Sequence, residues 1–298
     1  MKKALLIMNP CSGKRKGAKY LADIIGILNA ADVDVTVHMT AAQGDGIVVA
    51  RQRAAEFDMV LCAGGDGTFN EVVSGLIQSG THKPIGYLPC GSTNDFANSL
   101  GLPKELPEAT RALLTAPETP YDIGSFGGRH FSYVASFGAF TRTSYATSQS
   151  VKNALGHLAY ILGGIRELPS LHPYPVRMQT DTGEILEGDY LFGAISNSTS
   201  VGGILTLDPS VVDMNDGQFE ILLVKSPSGM VELNSIIYAI TSKKYTESKM
   251  ITFCKARSVT VTASPDMDWT LDGEHEPGHE VVTVENLHSA VRVLVQPK

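Results

Sequence analysis

The chain has 298 residues, of which 43% are hydrophobic and 18% are charged, and its formal net charge is −7. This composition is typical of a folded globular protein with room for two domains, and it excludes a largely disordered chain. The acidic balance also argues against nucleic acid as the main partner, because binding to a phosphate backbone requires a basic surface.

Cysteine usage and hydropathy indicate where the protein works. The four cysteines show no CxxC pair and no His/Cys metal spacing, which predicts reduced thiols in a cytosolic protein. No apolar run reaches the ~18 residues that a transmembrane helix needs. The apolar start of the chain stops at Asn9-Pro10, too early for a signal peptide. We therefore expect a cytoplasmic protein without a transmembrane segment.

The first 120 residues alternate between strand and helix patterns. Apolar or alternating runs predict strands at 4–8, 33–39, 59–63 and 84–89, and helical spacing predicts helices at 16–30, 44–56 and 68–79. This order predicts an α/β domain with a mostly parallel sheet and helices on both faces. Ligands of such sheets bind at the carboxyl ends of the strands, where glycine-bearing loops follow here.

From about residue 125 the pattern changes to closely spaced strands, which predicts a mainly antiparallel β-sandwich or barrel. Asp181-Thr182-Gly183 has the chemistry of a hairpin turn. Helical patterns interrupt the strands near 151–168 and 228–242. The predicted strand-like runs lie at 131–137, 175–180, 189–197, 219–225, 258–263, 280–287 and 290–296. We therefore divide the chain into domains 1–124 and 125–288, and the sequence leaves open whether the strand near 289–298 returns to the first domain.

The loop Gly64-Gly65-Asp66-Gly67 follows a predicted strand and precedes a predicted helix opened by Thr68. Backbone without Cβ atoms at a helix N-terminus lets amide groups approach an anion closely. Asp66 would repel a bare phosphate, so its presence favours a metal ion that bridges the two, as in a magnesium–nucleotide site. Thr68 and Glu71 also match the spacing of a capping box, which is a purely structural alternative.

Two further loops follow neighbouring predicted strands. Gly91-Ser92-Thr93-Asn94 could bind a phosphate or a ribose, although Thr93 or Asn94 also suits a helix cap. "NPCSGK" (9–14) resembles a phosphate cradle but lacks the spacing of a P-loop.

These segments together resemble one known family. "GGDGTFNEV" (64–72) with "NDFA" (94–97) is similar to the signature of the diacylglycerol kinase catalytic family, which includes soluble bacterial lipid kinases and the sphingosine kinases. "GGDGT" alone is shared with NAD kinases, so the ordered set carries the resemblance. Its other members are "NPCSGK" (9–14), "YDIG" (121–124), "LGHLAYILGGIREL" (155–168), "DMNDGQFEILLV" (213–224) and "LDGEHE" (271–276).

The resemblance implies a two-domain enzyme that binds ATP in the cleft between its domains. It implies that Asp66 and Asp122 belong to a magnesium network and that Asp66 takes part in catalysis. The nucleotide would be surrounded by Asn9, Pro10, Cys11, Ser12, Gly13, Lys14, Thr40, Gly64, Gly65, Asp66, Gly67, Thr68, Phe69, Asn70 and Ser92.

The acceptor side is also implied by the resemblance. It places Asp272 and Glu274 at the acceptor hydroxyl, with Glu274 favoured as the base that receives the proton and Asp272 as its rival. It further implies a structural magnesium held by the Asp216 carboxylate and by the backbone carbonyls of Asp213 and Gln218. Taken alone, "LDGE" and "NDGQ" are ordinary turn sequences.

The expected reaction is ATP- and Mg²⁺-dependent phosphorylation of a lipid hydroxyl at the inner membrane face, with diacylglycerol as the leading acceptor. Undecaprenol, a sphingoid base and phosphatidylglycerol are alternative acceptors, and the sequence is compatible with a homodimer. An NAD kinase would explain "GGDGT" but not "NDFA" or the late "DGEHE". A non-catalytic lipid- or nucleotide-binding regulator is a third alternative, against which the intact carboxylates count.

Overall fold

The computed structural model describes residues 1–138, 172–201 and 205–296. The chain forms two compact units, the first made of Met1–Ile123 with His288–Lys298 and the second of Gly124–Leu287. The helix predicted near 151–168 lies outside the described residues.

A parallel sheet forms the centre of the first unit, with strand order β4-β3-β1-β2. These strands read as continuous apolar runs because both faces of the sheet are buried. Leu6 packs in a core cluster with Leu28 and Leu113, and Leu5 and Ile7 on the opposite face are also fully buried. The strands are β1 (Lys2–Met8), β2 (Val33–Met39), β3 (Met59–Gly64) and β4 (Ile85–Pro89).

Helices connect these strands, and two of them differ from the sequence prediction. The predicted helix 16–30 is interrupted at Tyr20, whose φ of −100° and ψ of 8° are not helical. The helix predicted at 68–79 begins two residues earlier, at Asp66. The helices are α1 (Lys16–Lys19), α2 (Leu21–Ala30), α3 (Asp45–Arg53), α4 (Asp66–Ser79), α5 (Asp95–Leu100) and α6 (Leu106–Thr115).

The second unit is a mainly antiparallel sheet structure in which β9 pairs with β7, β8 and β12. Phe131, Phe137 and Trp269 lie in its core. Its elements are β6 (Arg129–Phe131), β7 (Val134–Gly138), β8 (Tyr174–Thr180), β9 (Ile185–Ser196), β10 (Ser200–Val201), β11 (Leu205–Thr206), β12 (Phe219–Lys225), α7 (Met230–Thr241), β13 (Ile251–Ala256), β14 (Ser258–Ala263), β15 (Trp269–Leu271) and β16 (Glu274–Glu276).

Two strands contribute residues to both units: β5 (Glu118–Phe126) and β17 (Val281–Leu294). The prediction of two separate strands at 280–287 and 290–296 is wrong, because β17 continues through Ser289 despite its φ of +52°. In the first unit, β17 pairs with β4 in parallel. The fold class, a parallel α/β part followed by an antiparallel sandwich, is confirmed.

Candidate active site

Three loops meet at the carboxyl ends of β1, β3 and β4, and they meet through backbone. A Cβ atom on Gly13 would overlap the carbonyl oxygen of Cys90, and one on Gly65 would lie 3.2 Å from the Cα of Gly91. The amide of Cys90 donates a 2.7 Å hydrogen bond to the carbonyl of Gly64. The glycines are therefore needed for loop-to-loop packing.

Asn9 ties the first of these loops to the sheet. Its backbone amide donates to the carbonyl of Ala63 at 2.9 Å, and its side-chain oxygen accepts from the amide of Cys11, also at 2.9 Å. The side-chain amide donates to the hydroxyl of Thr68 at 3.3 Å. The amide of Thr40, after β2, bonds back to the end of β1. Hydrogen bonds thus link the segments at the ends of β1, β2 and β3, which carry the predicted binding residues.

The turn that follows Asn9 is strained and cationic. Gly13, Lys14 and Arg15 have φ values of 49°, 57° and 64°, which is the left-handed region that residues with a Cβ rarely adopt. The side chains of Lys14 and Arg15 are exposed. Such strain is typical of functional sites, and here it presents two positive charges beside the glycine loops.

Asp66, in the loop after β3, is hydrogen-bonded to the chain that follows the loop after β4. Its two carboxylate oxygens accept hydrogen bonds from the amides of Asp95 and Phe96 at 3.0 and 3.2 Å, at the start of α5. Burial and then the nearby Asp95 carboxylate raise the pKa of Asp66 to about 6. Asp95 was missed in the sequence analysis, although it lies within the quoted "NDFA". Its signal was an acidic residue directly after the third loop.

The capping box, given above as a structural alternative for Thr68 and Glu71, does not form. α4 begins at Asp66 and has Gly65 at its N-cap, so Thr68 already lies inside the helix. The Glu71 carboxylate instead accepts hydrogen bonds from the amides of Gly44 and Gly46 at 2.7 and 3.0 Å, at the start of α3. Glu71 therefore connects two helices that follow different strands.

The remaining predicted nucleotide-binding residues differ in exposure. Phe69 is fully buried and packs against Tyr87 and Phe96, with ring centroids 4.5 and 4.8 Å away. Its side chain therefore supports the loops by packing in the interior. Asn94 occupies the N-cap position of α5, but its side chain bonds to the backbone of Gly91. Cys11 and Ser92 are exposed, and the half-buried members are Pro10, Ser12, Gly67 and Asn70.

Asp122 lies on β5 and is fully buried. Its Oδ1 accepts a 2.7 Å hydrogen bond from the amide of Ser289 and lies 2.9 Å from His288 Nδ1. This carboxylate holds the irregular part of β17. Among the residues that the structure describes, no group of three or more His, Cys, Asp and Glu side chains is placed to hold a metal ion.

Asp272 and Glu274 differ sharply in their surroundings. Asp272 is 7% exposed, and its carboxylate accepts amide hydrogen bonds from Ser132, Tyr133 and Val134. With φ values of 50° and 85° at Asp272 and the following glycine, this pair forms the turn between β15 and β16. The Glu274 side chain is 37% exposed and pairs with a guanidinium. Glu274 is the more accessible carboxylate.

Comparison with known proteins places this arrangement in a family. Residues 3–126 match the model of the diacylglycerol kinase catalytic domain, and residues 134–295 match the YegS C-terminal NAD kinase beta sandwich-like domain. A diacylglycerol kinase from Bacillus subtilis (strain 168) is 34% identical over 303 residues, covering 100% of this chain and 97% of the relative. The chain belongs to the diacylglycerol kinase catalytic-domain family.

Other similar proteins point to the same family or to the same fold. A diacylglycerol kinase from Staphylococcus epidermidis is 31% identical and covers 92% of this chain and 86% of its own. A crystal structure from Bacillus anthracis str. Sterne, named as a candidate diacylglycerol kinase, has a TM-score of 0.82 at 28% identity and covers 99% and 96% of the two chains. A yeast NADH kinase with a TM-score of 0.50, 10% identity and coverage of 98% and 82% shares the fold alone.

Within this kinase family the loop at 213–218 was expected to hold a structural magnesium ion. The carboxylate of Asp213 accepts a hydrogen bond from the amide of Asn215, and Oδ1 of Asp216 accepts one from the amide of Gln218 at 2.9 Å. Oδ2 of Asp216 lies 3.0 Å from the ammonium of Lys255. The residues present do not fit a magnesium ion at Asp216, because a cation already lies against its carboxylate.

One structural finding concerns the prediction that the chain has no transmembrane segment. None of the helices in the described ranges is long and apolar enough to cross a bilayer.

Proposed function

We propose that this chain is an ATP-dependent lipid kinase that phosphorylates the hydroxyl of a membrane lipid, with diacylglycerol as its acceptor. The observation that carries the proposal is the meeting of three backbone loops at the carboxyl ends of β1, β3 and β4, beside the exposed Lys14 and Arg15. Backbone amides and cations at this edge of a parallel sheet suit a polyphosphate. The names of the relatives support the choice of acceptor.

The first unit would bind the nucleotide. Lys14 and Arg15 would neutralise the phosphates, and the backbone around Gly13, Gly65 and Gly91 would contact them without side-chain obstruction. Mg²⁺, when bound, supplies further charge neutralisation on the phosphates. Asp66 and the neighbouring Asp95 are the carboxylates of these loops that would hold it, and Asp122 supports β17.

The second unit would supply the base. The acceptor oxygen forms a bond to the γ-phosphorus as the bond from phosphorus to the ADP oxygen breaks, and the hydroxyl proton passes to a carboxylate. Glu274 is our choice because it is the more accessible group. Asp272 is almost buried and its carboxylate binds three backbone amides, so we assign it to the turn that positions Glu274.

The test is transfer of radiolabel from [γ-³²P]ATP to extracted membrane lipids, to purified diacylglycerol in mixed micelles, and to NAD. We expect a labelled lipid with the mobility of phosphatidic acid. The label should be lost in Asp66→Ala and kept in Asp58→Ala, whose carboxylate also accepts a backbone amide bond but lies at the opposite end of β3. Label in NADP alone would contradict a lipid acceptor. ATP binding without any transfer would support the regulator.

Peripheral association with the membrane follows from this proposal, because the acceptor lies in a bilayer. Flotation of the protein with vesicles that contain diacylglycerol would measure it directly. A protein that stays with the soluble fraction under conditions in which it phosphorylates the vesicles would contradict stable association.

A further inference from the structure

A lysine connects two acidic residues at the 213–218 loop. The Lys255 ammonium lies 3.0 Å from Oδ2 of Asp216 and 3.1 Å from Oε1 of Glu220. Glu220 and Lys255 are directly paired in the antiparallel register of β12 and β13, so the strands themselves fix this contact. Asp216 belongs to the turn that leads into β12.

The environment of Glu220 makes this ammonium hard to remove. The Glu220 side chain is 0% exposed, whereas those of Asp216 and Lys255 are 22% and 31% exposed. A buried carboxylate without an opposite charge is strongly destabilising. Lys255 therefore pairs with a carboxylate inside the sheet and, with the same ammonium, with a carboxylate on the loop.

We propose that Lys255 is the resident cation of the 213–218 loop and that this chain holds the loop without a divalent metal ion. A divalent ion on Asp216 would place two cations on one carboxylate, and moving Lys255 aside would leave Glu220 unpaired. The inference concerns the stability of the second unit and does not depend on the proposed activity.

The test is thermal unfolding of the full chain, without nucleotide, in EDTA and in excess Mg²⁺. In Lys255→Met we expect a loss of melting temperature on the order of 5–10 °C and a new dependence on Mg²⁺, because two carboxylates lose their counter-ion. The matched control is Lys244→Met, which removes an equal charge from an exposed pair with Glu247 at 2.9 Å and should change the melting temperature little.

Wild-type protein separates the two possibilities. We expect any rise in its melting temperature from EDTA to excess Mg²⁺ to be the same as the rise in Asp216→Asn. A rise in the wild type that Asp216→Asn abolishes would overturn the proposal. If Lys255→Met does not fold, the double variant Lys255→Met with Glu220→Gln also removes the buried carboxylate and should recover folding. A Lys255→Met protein as stable as Lys244→Met would also overturn it.

Discussion

The Arg129 guanidinium donates a 2.8 Å hydrogen bond to the carboxylate of Glu274. Its other terminal nitrogen donates to Glu276 at 2.7 Å and to the backbone carbonyl of His275 at 3.1 Å. Arg129 thus holds strand β16 and the proposed base in one arrangement. The planar guanidinium suits this task because it can bind two carboxylates with fixed geometry.

Replacing Arg129 tests whether this contact positions the base. In Arg129→Gln we expect kcat to fall about tenfold or more, because a misplaced base receives the proton poorly. The KM for ATP should stay unchanged, and Arg129→Lys should recover part of kcat. Steady-state kinetics with saturating acceptor measures both. Arg177→Gln, which breaks the exposed pair with Glu187, is the control. Unchanged kcat in Arg129→Gln would remove Arg129 from the reaction.

Cysteine labelling tests the location of the nucleotide. Cys11 is exposed in the first loop, whereas burial raises the pKa of Cys90 and of Cys254 to about 11, and raises that of Cys62 as well. At pH 8 a thiol of pKa about 11 is ionised in about one molecule in a thousand, and only the thiolate reacts. Iodoacetamide should therefore modify Cys11 first.

ATP should slow this modification if the first loop binds the nucleotide. Peptide mass spectrometry with and without ATP gives the rates, and ATP in the Cys11→Ser variant controls for changes at the other thiols. Equal rates for Cys11 in both conditions would place the nucleotide elsewhere.

Glu71 should contribute to stability rather than to nucleotide contact. In Glu71→Gln one acceptor is replaced by a donor that faces a backbone amide, so we expect a loss of about 1–3 kcal/mol in the free energy of unfolding. Urea denaturation measures this loss. Glu232→Gln changes a similar but exposed carboxylate that accepts the amide of Ser228, and it should cost less. A larger effect on ATP affinity than on stability would contradict this role.

The exposed Lys14 tests the electrostatic part of the proposal. In Lys14→Met we expect the KM for ATP to rise about tenfold, with weaker dependence on salt, because one phosphate contact is lost. Lys19→Met is the control, since Lys19 is also exposed but its ammonium lies 5.4 Å from the Tyr20 ring. If both variants kept the wild-type KM, the phosphates would not lie beside this turn.

Local patterns predicted β1 to β4 and the loops that follow them, but they missed β5, β13, β15 and β16 and did not predict the contacts between elements. Continuous apolar runs identified β1, β3 and β4, and the glycines that follow identified their shared edge. The partners of Glu71, Asp66 and Arg129 could not be predicted, because they lie 25 to 30 residues away for the first two and 145 to 147 for the third.

Partners that are distant in sequence also explain why the capping box does not form. Thr68 and Glu71 have the right spacing, and the sequence does not show that Glu71 would instead find amides at the start of α3. The spacing of a capping box describes hydrogen bonds that a segment can form by itself, and here a contact with another helix replaced them.

The packing of Gly13, Gly65 and Gly91 limits how this enzyme can be redesigned. A side chain at any one of these positions would press on a neighbouring loop, so mutations that enlarge one loop would need simultaneous changes in another. Libraries aimed at the proposed nucleotide site should therefore leave the glycines fixed and vary exposed positions such as Ser92 and Thr93. The exposed rim of these loops is where side chains can change without this constraint.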